Sequence, residues 1–112
     1  MMSNRHCFAL DLIDDAAMIA DYEARHAPGA VWPVVLGHLR AQGVETMEIW
    51  RSGDRMVMIA EVSSDYPRTV EAPPEIAEWE ALMWRFQRAL PHAAPGEKWV
   101  PMQRIFAFGE EA

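Results

Sequence analysis

The stretch VETMEIWRSGDRMVMIAEV, residues 44–62, contains two strands joined by a tight turn. Residues 44–51 and 56–62 are rich in β-branched and apolar side chains, as strands are. The turn between them contains Gly53, and glycine readily adopts the positive φ that a short hairpin requires. The second strand is apolar on both faces, so we expect it in the middle of a sheet.

One strand and two helical segments precede this hairpin. Residues 5–12 alternate in the manner of a strand, and two aspartates after them are candidate N-caps for a helix that runs to about residue 27. A Pro-Gly pair at 28–29 interrupts the helical pattern. A second helix is predicted to begin near Pro33, since proline is tolerated in the first turn, and to stop at Gly43.

A helix and a final strand follow the hairpin. After a polar loop over residues 63–72, a Pro-Pro pair opens a segment whose apolar residues recur at helical spacing and which Pro91 ends. These residues are Ile76, Trp79, Met83, Phe86 and Leu90. Residues 98–108 are predicted to form the last strand, and Pro101 places part of it at a sheet edge.

The order β-α-β-β-α-β predicts an α+β domain of the ferredoxin-like type. Such a domain has a four-stranded antiparallel sheet with helices on one face only. Because the strands carry apolar residues on both sides, we expect a second subunit or a ligand to cover the other face.

Composition and charge limit the classes of function. A chain of 112 residues with 51% hydrophobic and 24% charged residues is typical of one folded domain. The net charge of -7 argues against nucleic acid and against an anionic membrane surface as partners. A single cysteine and no signal-peptide pattern indicate a soluble, cytoplasmic protein.

Common site motifs are absent from the sequence. It has no Gly-rich phosphate loop and no Cys-x-x-Cys, and its four histidines are not paired at ligand spacing, so no metal site is expected. Cys7 is a possible nucleophile, but a lone cysteine in a strand more often fills the core.

Three polar features remain as candidate sites. Tyr22 and His26 lie one helical turn apart, so they form either an acid/base site or a structural hydrogen-bonded pair. Glu61 interrupts an apolar strand, and is either a carboxylate with a raised pKa or half of a structural ion pair. Trp79 and Glu80 are a candidate sugar site, in which the Trp79 ring stacks on the C–H face of the sugar and the Glu80 carboxylate binds its hydroxyls. The alternative is that Trp79 is a core residue and Glu80 a solvated charge.

Five segments carry a resemblance to a known family. They are DYEARH at 21–26, VWP at 31–33, MEI at 47–49, EWEALMWR at 78–85 and PGEKWV at 95–100. From about residue 5 to residue 108, the chain resembles the L-rhamnose mutarotase family, and most of all its L-fucose mutarotase branch.

The resemblance implies a dimeric, α/β-barrel-like assembly of single ferredoxin-like domains over residues 1–112, without cofactor or metal. It implies interconversion of the α and β anomers of a 6-deoxy-L-sugar. The family's histidine acid matches His26, and its substrate-binding tyrosine matches Tyr22. Three further sugar contacts fall on Met47, Trp79 and Glu80.

Mutarotation requires an acid at the ring oxygen and a base at the anomeric hydroxyl. His26 can serve in either role, with Glu61 or Glu80 as its partner. Where the rhamnose branch has Tyr and Trp, this chain has Met47 and Glu80, which shifts the expected substrate from rhamnose toward fucose. Residues 27–30 make the link after His26 longer than is usual in the family. The alternatives are another cofactor-free enzyme on the same fold and a non-catalytic sugar-binding module.

Overall fold

The structure, a computed structural model, describes residues 4–109. Its elements, in chain order, are β1 Asn4–Leu12, α1 Ala16–Ala24, α2 Pro33–Gln42, β2 Val44–Ser52, β3 Arg55–Val62, α3 Pro74–Trp84, β4 Gln87–Arg88 and β5 Val100–Pro101. Residues 1–3 and 110–112 of the expected domain lie outside the described residues. In the described part of the chain, no helix is long and apolar enough to cross a membrane.

The sheet is antiparallel, with the strand order β2-β3-β1-β4. β3 is central, as its apolar sequence predicts, and pairs along its length with β1 and β2. The short strand β5 also pairs with β1, at Phe8 and Ala9, on the edge where β4 pairs with Asp11 and Leu12. Two short strands therefore share the fourth position of the predicted four-stranded sheet.

All three helices pack on one face of this sheet, as predicted. The fully buried side chains of Leu10, Leu12 and Met56 come from β1 and β3. They belong to one cluster with residues of all three helices, including Tyr22, Val35, Trp79 and Met83. Burial of an aliphatic side chain contributes about 1.5–3 kcal/mol, so this cluster is the main source of fold stability.

The predicted ends of the first two helices are largely confirmed. The Asp15 carboxylate accepts a hydrogen bond from the backbone N–H of Met18 and caps α1. Gly43 ends α2 in the left-handed conformation, with φ of 108°. The prediction that the first helix reaches residue 27 is wrong, because α1 ends at Ala24 and residues 25–30 form turns.

The prediction of one helix from Pro73-Pro74 to Leu90 is also wrong. α3 ends at Trp84, and Gln87 and Arg88 form β4 against the end of β1. The reason is an ion-pair network: Arg88 donates to Asp54 at 2.7 Å and lies 3.5 Å from the buried Asp11, which also binds Arg55. These charges hold the chain in an extended conformation despite its helical spacing.

The last predicted strand is much shorter than residues 98–108. Only Val100–Pro101 pairs as a strand, and the N–H of Met102 then donates to the carbonyl of Cys7. The residues that follow are exposed, with Ile105 93% and Phe108 91% accessible. The apolar pattern of residues 98–108 predicted a strand, but a pattern within one segment does not show whether another strand lies close enough to pair with it.

Candidate functional site

A cavity of ≈ 740 Å³ lies between the sheet and the helices. Its walls come from α1, α2, α3 and the inward residues of the sheet. Five of the six predicted site residues line it: Tyr22, His26, Met47, Trp79 and Glu80. The volume falls in the range of small-molecule sites.

His26 sits two residues beyond the end of α1, in the turn that follows the helix. Its Nδ1 lies 2.8 Å from the backbone carbonyl oxygen of Tyr22. A carbonyl only accepts hydrogen bonds, so Nδ1 carries a proton in this contact. Nε2, the other ring nitrogen, takes no part in this contact.

Tyr22 is buried beside His26, and their ring centroids are 4.5 Å apart. Its hydroxyl oxygen accepts a hydrogen bond of 3.0 Å from the Gln87 amide. Burial raises the pKa of the Tyr22 phenol, the Gln87 hydrogen bond lowers that pKa, and the nearby Glu80 raises it. The net shift is upward, so the phenol keeps its proton at neutral pH, and that proton is available for a hydrogen bond.

Trp79 is held in the wall of the cavity by two aromatic contacts. Its ring meets Trp32 edge-on at 5.0 Å and His26 at 5.7 Å between centroids. Trp79 belongs to the core cluster as well as to the cavity, so it combines the two roles that the sequence left open. A fixed aromatic wall of this kind suits the C–H face of a sugar.

Glu80 lines the cavity with a side chain that is 56% exposed. Lys98 donates to its carboxylate and to its backbone carbonyl, both at 2.8 Å. The same ammonium lies 5.0 Å from the centre of the Trp84 ring. The loop that contains Lys98 thus holds the Glu80 side chain, with one carboxylate oxygen in the ion pair.

The sheet contributes Met47, which pairs in register with Ala60, to the floor of the cavity. Arg51 and Glu23 also line the cavity, and they form an ion pair at 2.6 Å. Within the described residues, no group of His, Cys, Asp and Glu is placed to hold a metal ion.

Glu61 is not part of this site. Its neighbours Ala60 and Val62 belong to a buried cluster, so alternation directs Glu61 to the opposite face of the sheet. There its carboxylate accepts from Arg5 at 2.9 Å, in register on β1. The structure thus matches the ion-pair interpretation of Glu61 and separates it from His26.

Sequence reasoning missed Gln87 and Lys98. Gln87 fell inside the predicted long helix, where its polar side chain had no evident partner. Its Oε1 is the one buried side-chain N or O atom without a hydrogen-bond partner in residues 4–109. An unsatisfied buried group costs about 1–3 kcal/mol, which marks Gln87 as unusual. Lys98 could have been identified from the sequence, because it belongs to the segment PGEKWV that carried the family resemblance.

Comparison with known proteins agrees with this geometry. Residues 5–108 match the L-rhamnose mutarotase family. The chain is 52% identical to an L-fucose mutarotase of Xanthomonas campestris pv. campestris, over 98% of this chain and 92% of the relative. It is 31% identical to a protein of Dictyostelium discoideum, over 88% and 84% of the two chains.

The fold matches the crystal structure of an L-rhamnose mutarotase from Formosa agariphila. The TM-score is 0.69, with 19% identity, over 93% of this chain and 97% of the other. This likeness confirms the ferredoxin-like α+β fold. The family match and the 52% identical relative together place the chain in the class of carbohydrate isomerases. The chain belongs to the L-rhamnose mutarotase family. It is a sugar mutarotase, an isomerase.

Proposed function

We propose that this protein interconverts the α and β anomers of a 6-deoxy-L-sugar, with L-fucose favoured over L-rhamnose. The observation that carries the proposal is the fixed orientation of His26, whose Nδ1 is engaged by the Tyr22 carbonyl. The remaining nitrogen, Nε2, belongs to a side chain that shares one cavity with Tyr22, Trp79 and Glu80.

In the proposed mechanism, His26 and Glu80 exchange two protons with the sugar. The step begins with His26 as an imidazolium, protonated on both ring nitrogens. Its Nε2 donates a proton to the ring oxygen as the C1–O5 bond breaks and leaves the neutral ring with its proton on Nδ1, while the Glu80 carboxylate accepts the proton of the anomeric hydroxyl. The open aldehyde then rotates about C1–C2. Both transfers reverse on ring closure, so the protein is unchanged. General acid–base assistance typically contributes about 10²–10⁴-fold.

The choice of Glu80 over Glu61 rests on position. Glu80 lines the cavity and acts electrostatically on Tyr22, whereas Glu61 faces the other side of the sheet and pairs with Arg5. The neutral Tyr22 hydroxyl donates a hydrogen bond to the sugar, and Trp79 packs on its C–H face.

The preference for L-fucose is supported by relatedness and by the floor of the cavity. The 52% identical relative is named an L-fucose mutarotase. Met47 presents an apolar thioether where the rhamnose branch is expected to have a hydroxyl. A site that hydrogen-bonds a particular hydroxyl rejects sugars that place that hydroxyl elsewhere, so the loss of this phenol removes a contact that would favour L-rhamnose over L-fucose.

The test is anomer exchange measured by saturation-difference NMR on the wild-type protein. L-fucose, L-rhamnose and D-glucose are compared at equal concentrations with a protein-free control. We expect exchange above the buffer rate for both 6-deoxy sugars, and faster for L-fucose. Binding without added exchange would identify a sugar-binding module, and no binding would overturn the proposal.

We also infer that the protein is a homodimer. The face of the sheet opposite the cavity carries Trp50, which is 62% exposed and whose neighbours Ile49 and Arg51 line the cavity. The exposed segment that follows β5 adds Ile105, Phe106 and Phe108. These exposed apolar side chains support the inference that a second copy of the chain covers this surface.

We infer a cytoplasmic location from cysteine usage. Cys7 is the single cysteine of the chain, and it is a free thiol on β1. A chain with one cysteine cannot form an internal disulfide, and such chains are typical of reducing compartments. Fractionation of the native host cell tests this, and recovery outside the cytoplasm would contradict it.

A further inference from the structure

Gln87 is placed at the cavity by a two-residue strand. Its backbone pairs with Leu12, and the next residue, Arg88, pairs with Asp11 and forms an ion pair with Asp54. Because side chains alternate along a strand, the charged network directs Arg88 to one face and Gln87 to the cavity face. Gln87 is only 7% exposed and lines the cavity with Tyr22.

The orientation of the Gln87 amide fixes the role of the Tyr22 hydroxyl. Nε2 of Gln87 donates to the phenol oxygen at 3.0 Å, while Oε1 is buried and has no hydrogen-bond partner. If the amide were reversed, Oε1 would accept the phenol proton and the cavity would face only a Tyr22 lone pair. The observed arrangement leaves that proton available to a ligand.

We propose that Gln87 is a positioning residue that makes Tyr22 a hydrogen-bond donor to the bound sugar. The amide N–H occupies one side of the phenol oxygen, so the phenol O–H points to the other side, toward the cavity ligand. This inference rests on the proposed mutarotase function. It adds a residue, and a defined donor polarity, to the recognition of the sugar.

Two substitutions of similar size separate this role from simple packing. Gln87→Met removes the amide donor and leaves the Tyr22 proton free to turn, so we expect a loss of anomer exchange of several-fold. Gln87→Glu introduces a carboxylate that accepts the phenol proton at about pH 8 and withdraws it from the sugar. We expect the anomer-exchange rate of that variant to fall roughly tenfold, which corresponds to the loss of one hydrogen bond. Tyr22→Phe should cause a loss of the same size.

The pH dependence of Gln87→Glu is the sharper readout. At about pH 5.5 the buried carboxyl, whose pKa burial raises, is protonated and donates to the phenol as the amide does. The exchange rate relative to wild type at the same pH should therefore rise as pH falls. In a Tyr22→Phe background, Gln87→Glu should cause no further loss.

The hydrogen bond itself is measured independently of activity. The chain has two tyrosines, so ¹³Cζ-labelled tyrosine gives two NMR signals, and Tyr22→Phe assigns them. The Tyr22 signal should shift in Gln87→Met while the Tyr66 signal stays in place, which also shows that the variant is folded. A Tyr22 signal unchanged in Gln87→Met would overturn the inference.

The activity measurements distinguish failure of the proposed function from failure of the positioning role of Gln87. If the wild-type protein exchanges no sugar, the proposed function fails, and the NMR shift still tests the Gln87–Tyr22 bond. Two results with an active wild type would show that the positioning role is wrong and that Gln87 only fills space. One is a ratio of Gln87→Glu to wild-type exchange rates that stays constant across pH. The other is a further loss of exchange rate when Gln87→Glu is added to Tyr22→Phe.

Discussion

Nδ1 of His26 and the backbone carbonyl of Tyr22 lie 2.8 Å apart, although His26 is outside the helix that contains Tyr22. The contact ties the histidine to the last turn of α1 through a group that no side-chain substitution removes. It fixes the ring orientation and reserves Nε2 for chemistry. The proposed mechanism follows from this bond and from the carboxylate in the same cavity.

The two candidate carboxylates should respond differently to neutralisation. Glu80→Gln removes the proposed base, and we expect L-fucose exchange to fall by about 10²-fold or more. Glu61→Gln is the matched change on the other face, where an exposed ion pair contributes little, and exchange should stay near the wild-type rate. Saturation-difference NMR measures both; a larger loss in Glu61→Gln would reverse the assignment.

Met47 should control the choice of sugar. Met47→Tyr places a phenol on the cavity floor, as in the rhamnose branch, and we expect the ratio of L-rhamnose to L-fucose exchange to rise roughly tenfold. The ratio of kcat/KM for the two sugars is the readout. Met102→Tyr, an exposed position outside the cavity lining, is the control. An unchanged ratio in Met47→Tyr would exclude this residue from specificity.

Tyr22 should make the protein sensitive to alkali. Burial raises its pKa above the usual value of about 10 for a tyrosine, so the folded state holds the phenol proton more tightly than the unfolded state does. The stability that depends on this proton is complete below about pH 10 and falls as pH rises through the folded pKa. Tyr22→Phe has no phenol proton and so lacks this dependence.

Urea unfolding of wild type and Tyr22→Phe across that pH range tests the sign. We expect the wild-type free energy of unfolding to decline more steeply than that of the variant. Tyr66→Phe, which changes the other tyrosine, should keep the wild-type decline. Parallel curves for wild type and Tyr22→Phe would contradict the upward pKa shift.

The proposed dimer should depend on the open face of the sheet. Trp50→Glu places a charge where we expect a second copy to pack, so light scattering after size exclusion should show monomers. Glu45→Gln, on the same strand at a position that lines the cavity, should leave the assembly intact. A Trp50→Glu protein that keeps the wild-type mass would show that this face is not the interface.

Local patterns predicted most of the fold. The hairpin, its central strand, the Asp15 cap and the Gly43 stop each depend on a few neighbouring residues, and the structure has all of them. Tyr22 and His26 were also found locally, from their spacing. Glu61 was singled out correctly as unusual in an apolar strand, but its pairing with Arg5 required the sheet register.

The errors arose where contacts between distant residues override local spacing. Phe86 and Leu90 continue the apolar period of α3, yet Arg88 is drawn to Asp11 and Asp54 at the edge of the sheet. That interaction joins residues far apart in sequence and has no local signature. The same error hid Gln87, because a residue assigned to a helix was not tested as part of a strand that faces the cavity.

The central claim is that His26 transfers the proton, and one comparison tests it most directly. L-fucose anomer exchange is measured by saturation-difference NMR for wild type, His26→Gln and His38→Gln, a histidine outside the cavity lining. We predict that His26→Gln loses about 10²–10⁴-fold in rate while still binding L-fucose, and that His38→Gln matches wild type. If His26→Gln exchanges the sugar as fast as His38→Gln, the account of catalysis is wrong.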